Sequence, residues 1–287
     1  MGIFEPPMGY DTVNFLSDYG LADEFVGVVK SVIHSIAPTV RIADVSHQIK
    51  PHDVRAGGLA LARSAAYLNP GVVLAVVDPG VGGERKGVAV EVGGGATILV
   101  GPDNGLLAPT VALVGGATAA VDISSSPYRL DGSSSTFDGR DLFGPVAAQL
   151  CAGASLESVG TPMNPALLMP AVMPVSALEG DSIVAEVLWV DRFGNCQLNV
   201  DPEELKLQQY SLQIAEQRRP ARRVTNFETL QSGEVGLVTD SSGMVAVVVN
   251  RASAASELRL AEGTEVRLHP GDTTGGVTTA VTLGKQL

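Results

Sequence analysis

Acidic and hydroxyl side chains gather at four places in the first half of the chain, each at the end of a short apolar run. Ser17-Asp18 close one run, Asp44-Val45-Ser46-His47 a second, Asp78-Pro79-Gly80 a third and Gly101-Pro102-Asp103-Asn104-Gly105 a fourth. Carboxylates can grip a pair of hydroxyls, take a proton from water or attract a cation. Taken singly, an aspartate in such a place shapes a turn or caps a helix. If the runs are strands of one open parallel sheet, however, their ends share an edge, and ligands bind in the crevice outside it. Four clusters on one edge are better explained by a site than by four independent turns.

Other candidate chemistry is weaker. The run VVDPGVGGERKG is no phosphate loop, since no Gly-Lys-Ser/Thr follows, and Arg85 takes the last glycine position of G-x-G-x-x-G. It is similar to the Asp-x-Gly-x-Gly loop of S-adenosylmethionine methyltransferases, but there a helix should follow, and here a strand pattern resumes soon after Gly83. His47 and His52 flank Pro51 while His34 and His269 lie far off, so no metal site is expected. Cys151 and Cys196 are too few for a disulfide framework and read as free thiols of a reducing cytoplasm. The formal net charge of -12 argues against nucleic-acid binding. Arg218, Arg219, Arg222 and Arg223 run against that balance and read as a solvated polar connector. The opening MGIFEPPMGY has no signal-peptide pattern, and no apolar run is long enough to span a membrane.

The elements that must hold these residues alternate. Strands are predicted at 12–16, 40–45 and 72–77, the last a continuous apolar run suited to burial on both faces. Helices are predicted at 23–36, with apolar residues at helical spacing, and at 53–68, with Asp53 as N-cap. Residues 88–92 and 97–100 form a hairpin across three glycines, and 141–151 a closing helix. The expected fold is α/β: a mainly parallel sheet flanked by helices over 1–165, a proline-rich linker over 166–181, and a smaller β-barrel over 182–287. The barrel's predicted strands are 182–190, 196–200, 235–239, 245–250 and 264–268.

Seven strings occur in order: FLSDYGLADEFVGVVKSVI, ADVSHQI, VVDPGVGGERKGVAV, GPDNGLL, STFDGRDLF, VDRFGNCQLNV and DSSGMVAVVVNRASAA. Together they resemble the family of S-adenosylmethionine hydroxide adenosyltransferases, chlorinases and fluorinases. The resemblance implies an α/β domain followed by a β-barrel, and a homotrimer whose sites lie between one subunit's first domain and a neighbour's second. It implies S-adenosylmethionine as substrate, no cofactor, and a cytoplasmic enzyme. On the matching motifs, Asp18 holds the ribose hydroxyls, Asp191 and Ser241 the methionine end, and Asn195 the adenine, with backbone help from Arg251. Phe227 packs against the nucleoside. Asp23, His52 and Phe193 complete the implied substrate-binding set, His52 standing where halogenating members carry Trp.

Methionine leaves S-adenosylmethionine as a neutral thioether, so the chemistry needs an oriented nucleophile more than an acid. Members that use water resemble this chain in having Asp78 and Arg85; halogenating members have Tyr in place of Asp78. An anion there repels halide and suits a base for water. Where hydrolytic members have His this chain has Asp138, which gives a catalytic set of Asp78, Arg85 and Asp138. Two carboxylates beside one cation can share a proton and so retain a base; the alternative is that Asp138 turns away from the site and leaves a slow enzyme. The expected reaction is hydrolysis at ribose C5′ to adenosine and methionine. The alternatives are a non-catalytic binder of S-adenosylmethionine or adenosine, and a halogenase.

Overall fold

The computed structural model describes residues 9–131 and 135–271, and the chain divides into two compact units, Met1–Val172 and Met173–Leu287.

The first unit is built on a seven-stranded sheet. In chain order its strands are β1 (Thr12–Ser17), β2 (Arg41–Ser46), β3 (Gly71–Val76), β4 (Gly87–Val92), β5 (Thr97–Pro102), β6 (Ala117–Asp122) and β7 (Thr161–Met163), arranged β2-β1-β3-β5-β4-β6-β7. Strands β2, β1, β3 and β5 are mutually parallel, while β4, β6 and β7 join by antiparallel pairs. The sheet is therefore mixed, its parallel half carrying the four polar clusters on one edge. After β1 the chain goes to one side for β2 and then to the other for β3. The gap between β1 and β3 is thus the switch point at which doubly wound sheets bind ligands.

Side-chain period explains the layering. Val13, Phe15, Val72, Leu74, Val76, Ile98 and Val100 alternate along their strands and form one core with the helices α1 (Phe25–Ile36) and α4 (Gly144–Cys151). Fully burying a side chain such as Phe15 contributes about 1.5–3 kcal/mol. Helix α2 (Val54–Ser64) is capped by Asp53, whose carboxylate accepts the Ala56 N–H at 2.8 Å. Its Gly57 permits close packing, since a Cβ there would lie 2.9 Å from both Val77 and Leu106. The helix predicted to Leu68 ends at Ser64 and tightens into a 3₁₀ turn, Ala65–Tyr67. The predicted helix 141–151 is two pieces, a π-helical turn at Gly139–Phe143 running into α4. Short α3 (Ala108–Leu113) and α5 (Leu156–Val159), and strands β6 and β7, escaped the sequence reading.

The second unit is a closed seven-stranded barrel. Its strands are β8 (Ala177–Glu179), β9 (Ser182–Val190), β10 (Cys196–Leu198), β11 (Gln209–Ile214), β12 (Gln217–Val224), β13 (Val235–Thr239), β14 (Val245–Val249) and β15 (Glu265–Pro270). Closure comes through β10, which pairs with β14 on one side and β9 on the other; β8 lies outside the ring, on β9. Ile183, Ala185, Val187, Leu212, Leu237, Val247 and Leu268 fill the interior, alternate residues pointing in. One turn of helix, α6 (Ala254–Leu258), follows β14. The arginine-rich stretch is not a connector: Arg218, Arg219, Arg222 and Arg223 lie on β12, which hairpins with β11 and runs parallel to β13. Pro220 is accommodated because β13 pairs only from Ala221 onward.

Candidate active site

The loop after β1 places Asp18 beside the end of β3, its N–H reaching the Val76 carbonyl at 3.4 Å. Asp18 Oδ2 accepts the His52 N–H at 2.8 Å, and His52 adopts a left-handed φ of 69° to present it. Beneath the loop, buried Ser17 Oγ and His47 Nδ1 are 2.8 Å apart, His47 packs edge-on to Phe15, and the His47 carbonyl accepts the Gly20 N–H at 2.7 Å. His47 Nε2 comes within 3.1 Å of Asp44 Oδ1 but out of line for a hydrogen bond. The strand-end cluster of β2 thus braces the cleft from behind.

From the loop after β3 comes Asp78, 6% exposed at its side chain, gripped by the guanidinium seven residues on. Arg85 Nε donates to both carboxylate oxygens at 2.9 Å, and its Nη2 to Oδ2 at 2.5 Å. The same Nη2 donates to Asp138 Oδ2 at 2.5 Å, and Arg129 Nη2 donates to Asp138 Oδ1 at 2.5 Å. Two carboxylates and two guanidiniums therefore alternate in a chain, Asp78–Arg85–Asp138–Arg129, whose formal charges cancel. The two carboxylates thus stand beside two cations, where the sequence pointed to one. Arg85 also stacks over Phe143, 5.1 Å from the ring centre. Burial works against its charge, but the bonds to Asp78 and Asp138 prevail and raise its pKa above the ordinary guanidinium value.

Asp78, Asp18, Asp138 and His52 face a cleft of about 260 Å³ whose wall is aromatic. Tyr19, Phe25 and Phe137 form the wall, ring centres 5.2–5.9 Å apart. Burial, then the charges of Asp18, Asp78 and Asp138, push the Tyr19 phenol upward, so at neutral pH it is a neutral donor. Gly139 is required beneath it: a Cβ there would come 2.1 Å from the Tyr19 hydroxyl. The cleft can orient a polar group against a pinned carboxylate while an apolar wall holds the rest of a ligand. Among the described residues, no three His, Cys, Asp or Glu gather to hold a metal ion.

The barrel has its own pocket, of about 370 Å³, that brings together Asp191, Phe193, Asn195, Phe227 and Ser241. Trp189 adds a third aromatic surface, and Gln197, Asn226 and Asp240 add polar groups. Asp191 is heavily used within its own turn: Oδ1 accepts the N–H groups of Phe193 at 2.8 Å and Asn195 at 2.9 Å, and Oδ2 the Asn195 amide at 2.8 Å. Asp191 therefore shapes the loop, and through it the display of Phe193 and Asn195. Phe193 is 78% and Phe227 46% exposed, which suits platforms for a flat ligand.

Not every predicted residue joins these sites. Asp23 is exposed on the bend before α1, and Arg251 is exposed after β14 with φ 58°; neither lines its unit's pocket. Asp44 and Asp103 also stay out of the cleft: Asp44 pairs with Lys30 at 2.7 Å, and Asp103 accepts the Met169 N–H at 2.8 Å. Two of the four polar clusters, not four, line it. Conversely, Arg129, Tyr19, Phe25, Phe137 and Trp189 went unread. Tyr19 adjoins Asp18 and could have been taken with its cluster, but Arg129 sits in SSPYRLDG, where no spacing marks it.

Comparison with known proteins bears on both units. Residues 13–160 match the model of the SAM hydroxide adenosyltransferase N-terminal domain, and residues 185–267 that of the SAM hydroxide adenosyltransferase C-terminal domain. A protein of Salinispora tropica named (R)-S-adenosyl-L-methionine hydrolase is 43% identical over 259 residues, spanning 90% of this chain and 98% of its own. A fluorinase of Actinopolyspora mzabensis is more distant, 27% identical over 289 residues, spanning 89% and 96%. A crystal structure of an uncharacterized conserved protein from Thermotoga maritima superposes with a TM-score of 0.84 at 32% identity, spanning 90% of this chain and all (100%) of that one.

Proposed function

This chain belongs to the SAM hydroxide adenosyltransferase family, and from that premise we propose that it hydrolyses S-adenosyl-L-methionine at ribose C5′ to adenosine and L-methionine. Water attacks C5′ in line with the sulfonium. The C–O bond forms as the C–S bond breaks, the bonding pair stays on sulfur, and methionine departs as a neutral thioether. Asp78 takes the water's proton. The observation that carries this reading is Asp78 itself, held at the cleft by three contacts from one guanidinium. A carboxylate has about four acceptor positions, so this grip leaves one to meet a water. Asp18 receives the ribose diol on the oxygen that His52 does not occupy. Asp138 helps to fix Arg85, and the carboxylates of the cleft disfavour halide as the nucleophile.

The barrel pocket takes the remainder of the substrate. Phe227 and Phe193 stack on the nucleoside, Asn195 meets the adenine edge with the Arg251 backbone nearby, and Ser241 meets the methionine end. The complete site is shared between subunits of a homotrimer; a monomer by light scattering would overturn that part. Among the described residues no helix is long and apolar enough to cross a membrane, and with two free cysteines the reading places the enzyme in a reducing cytoplasm. The relatives' names specify the (R) compound, and we extend that preference to this chain.

The test is to incubate purified protein with each sulfonium epimer, with and without chloride, and to separate the nucleosides by chromatography. Adenosine formed from the (R) epimer, independent of halide, is expected. A 5′-chlorinated nucleoside would overturn water as the nucleophile, and intact substrate despite measurable binding would reduce the protein to a binder.

A further inference from the structure

We propose that Arg129 is a positioning residue of this hydrolase: it holds Asp138 from the side opposite Arg85 and so keeps Arg85 aligned on Asp78. This rests on the hydrolytic reading above and assigns the set a fourth member.

Asp138 immediately precedes the π-helical turn Gly139–Phe143, where an aspartate would ordinarily cap the following N–H groups, yet its side chain makes no such bond. Both its oxygens are committed to guanidiniums instead, Oδ2 to Arg85 and Oδ1 to Arg129. At 5% exposure it depends on those partners for the bonds that water would otherwise supply. Arg129 is not a loose surface side chain that happens to reach it. Its N–H donates to the Ser126 carbonyl at 3.1 Å, and the next residue's N–H to the Asp141 carbonyl at 2.8 Å. The loop is thereby tied to the same turn that carries Asp138.

The charges show why a fourth member is needed. Without Arg129, one guanidinium faces two carboxylates that are 5–6% exposed, leaving an uncompensated anion where burial makes it costly. Arg85 is then contested between Asp78 and Asp138, and the geometry of the base relaxes. A site with an imidazole in place of Asp138 does not carry that second anion. The carboxylate at 138 therefore makes this chain, unlike a His-bearing member, dependent on a cation at 129.

Four full-length proteins besides the parent test this: Arg129→Met, Arg129→Lys, Asp138→Asn and the double variant Arg129→Met with Asp138→Asn. Adenosine formation across substrate concentrations gives kcat and KM, and thermal melting is followed on the same samples. Arg129→Met is expected to lower kcat by about 10- to 100-fold, as for a small misplacement of a reacting group, with KM changed less than about threefold. Arg129→Lys should recover part of the loss, and the double variant should exceed Arg129→Met alone because the charges balance again. Parental kcat in Arg129→Met, or strictly multiplicative losses in the double variant, would overturn the assignment. If the parent itself forms no adenosine, the hydrolase reading fails separately. Melting then decides the pairing: non-additive shifts at 129 and 138 support it, additive ones refute it.

Discussion

Replacing Asp78 by Asn changes a charge with almost no change in shape. The carboxylate receives Arg85 Nε on both oxygens at 2.9 Å and Nη2 on Oδ2. An amide can accept on one side only, and its other side turns an N–H₂ toward a guanidinium that needs acceptors. Arg85 keeps its bond to Asp138, so it is not left without an anion, and the fold should survive with a modest loss of melting temperature. What is lost is the proton acceptor. General bases contribute about 10²–10⁴-fold, which corresponds to about 2.7–5.4 kcal/mol in the barrier. Ligand contacts made by Asp18 and the aromatic wall are untouched. The expected result is therefore a fall in kcat of that size, with KM for the substrate and Kd for adenosine within about threefold of the parent. Stopped-time chromatography for turnover and calorimetry for adenosine binding measure the two independently. A kcat within about threefold of the parent would remove Asp78 as the base. A raised Kd at full kcat would reassign it to binding.

Two further outcomes follow from packing and burial. Gly139→Ala forces a Cβ to within 2.1 Å of the Tyr19 hydroxyl and should cost about 1–3 kcal/mol; Tyr19→Phe in the same chain should restore most of it, and equal melting of the single and double variants would refute the clash. Burial, then the charge of Asp11, pushes the Cys151 thiol up to about 12. It therefore stays protonated at pH 8, and native Cys151 should react with iodoacetamide about a thousandfold more slowly than an ordinary free cysteine; labelling at the free-thiol rate would contradict this.

Strands β1 and β3 were legible because they are buried on both faces: GVVLAV is apolar throughout, TVNFLS carries Val13, Phe15 and Leu16, and both end in abrupt polar clusters. Strand β6, ATAAVD, carries little apolar bulk and is half exposed, so no pattern announced it. The β11–β12 hairpin hid for a different reason. Its turn uses Ala215 at a φ of 49° instead of glycine or asparagine, and arginines and Pro220 fill β12. Within the cleft, Asp78 and Arg85 share one loop and could be linked by spacing, whereas Arg85 and Asp138 are 53 residues apart. That pairing was reached only by resemblance. Strand-end position alone could not separate Asp18 and Asp78, which face the cleft, from Asp44 and Asp103, which do not; side-chain direction decides it.

The π-helical turn Gly139–Phe143 has a meaning for how such a site can arise and be lost. An α-helix advances about 100° per residue, and a π-turn accommodates one residue more than an α-turn. The segment can thus be viewed as an α-helix that gained a single residue just behind Asp138. Removing one residue there would return the turn to α geometry and leave both flanks in register, Asp138 before it and α4 with its buried Val146, Ala147 and Leu150 after it. The loss would fall on the turn itself, where Leu142 and Phe143 are fully buried and Gly139 lies against the Tyr19 hydroxyl. A one-codon deletion at this turn would therefore perturb packing before chemistry, and a substitution at Asp78 is the shorter route from this scaffold to a folded and inactive relative.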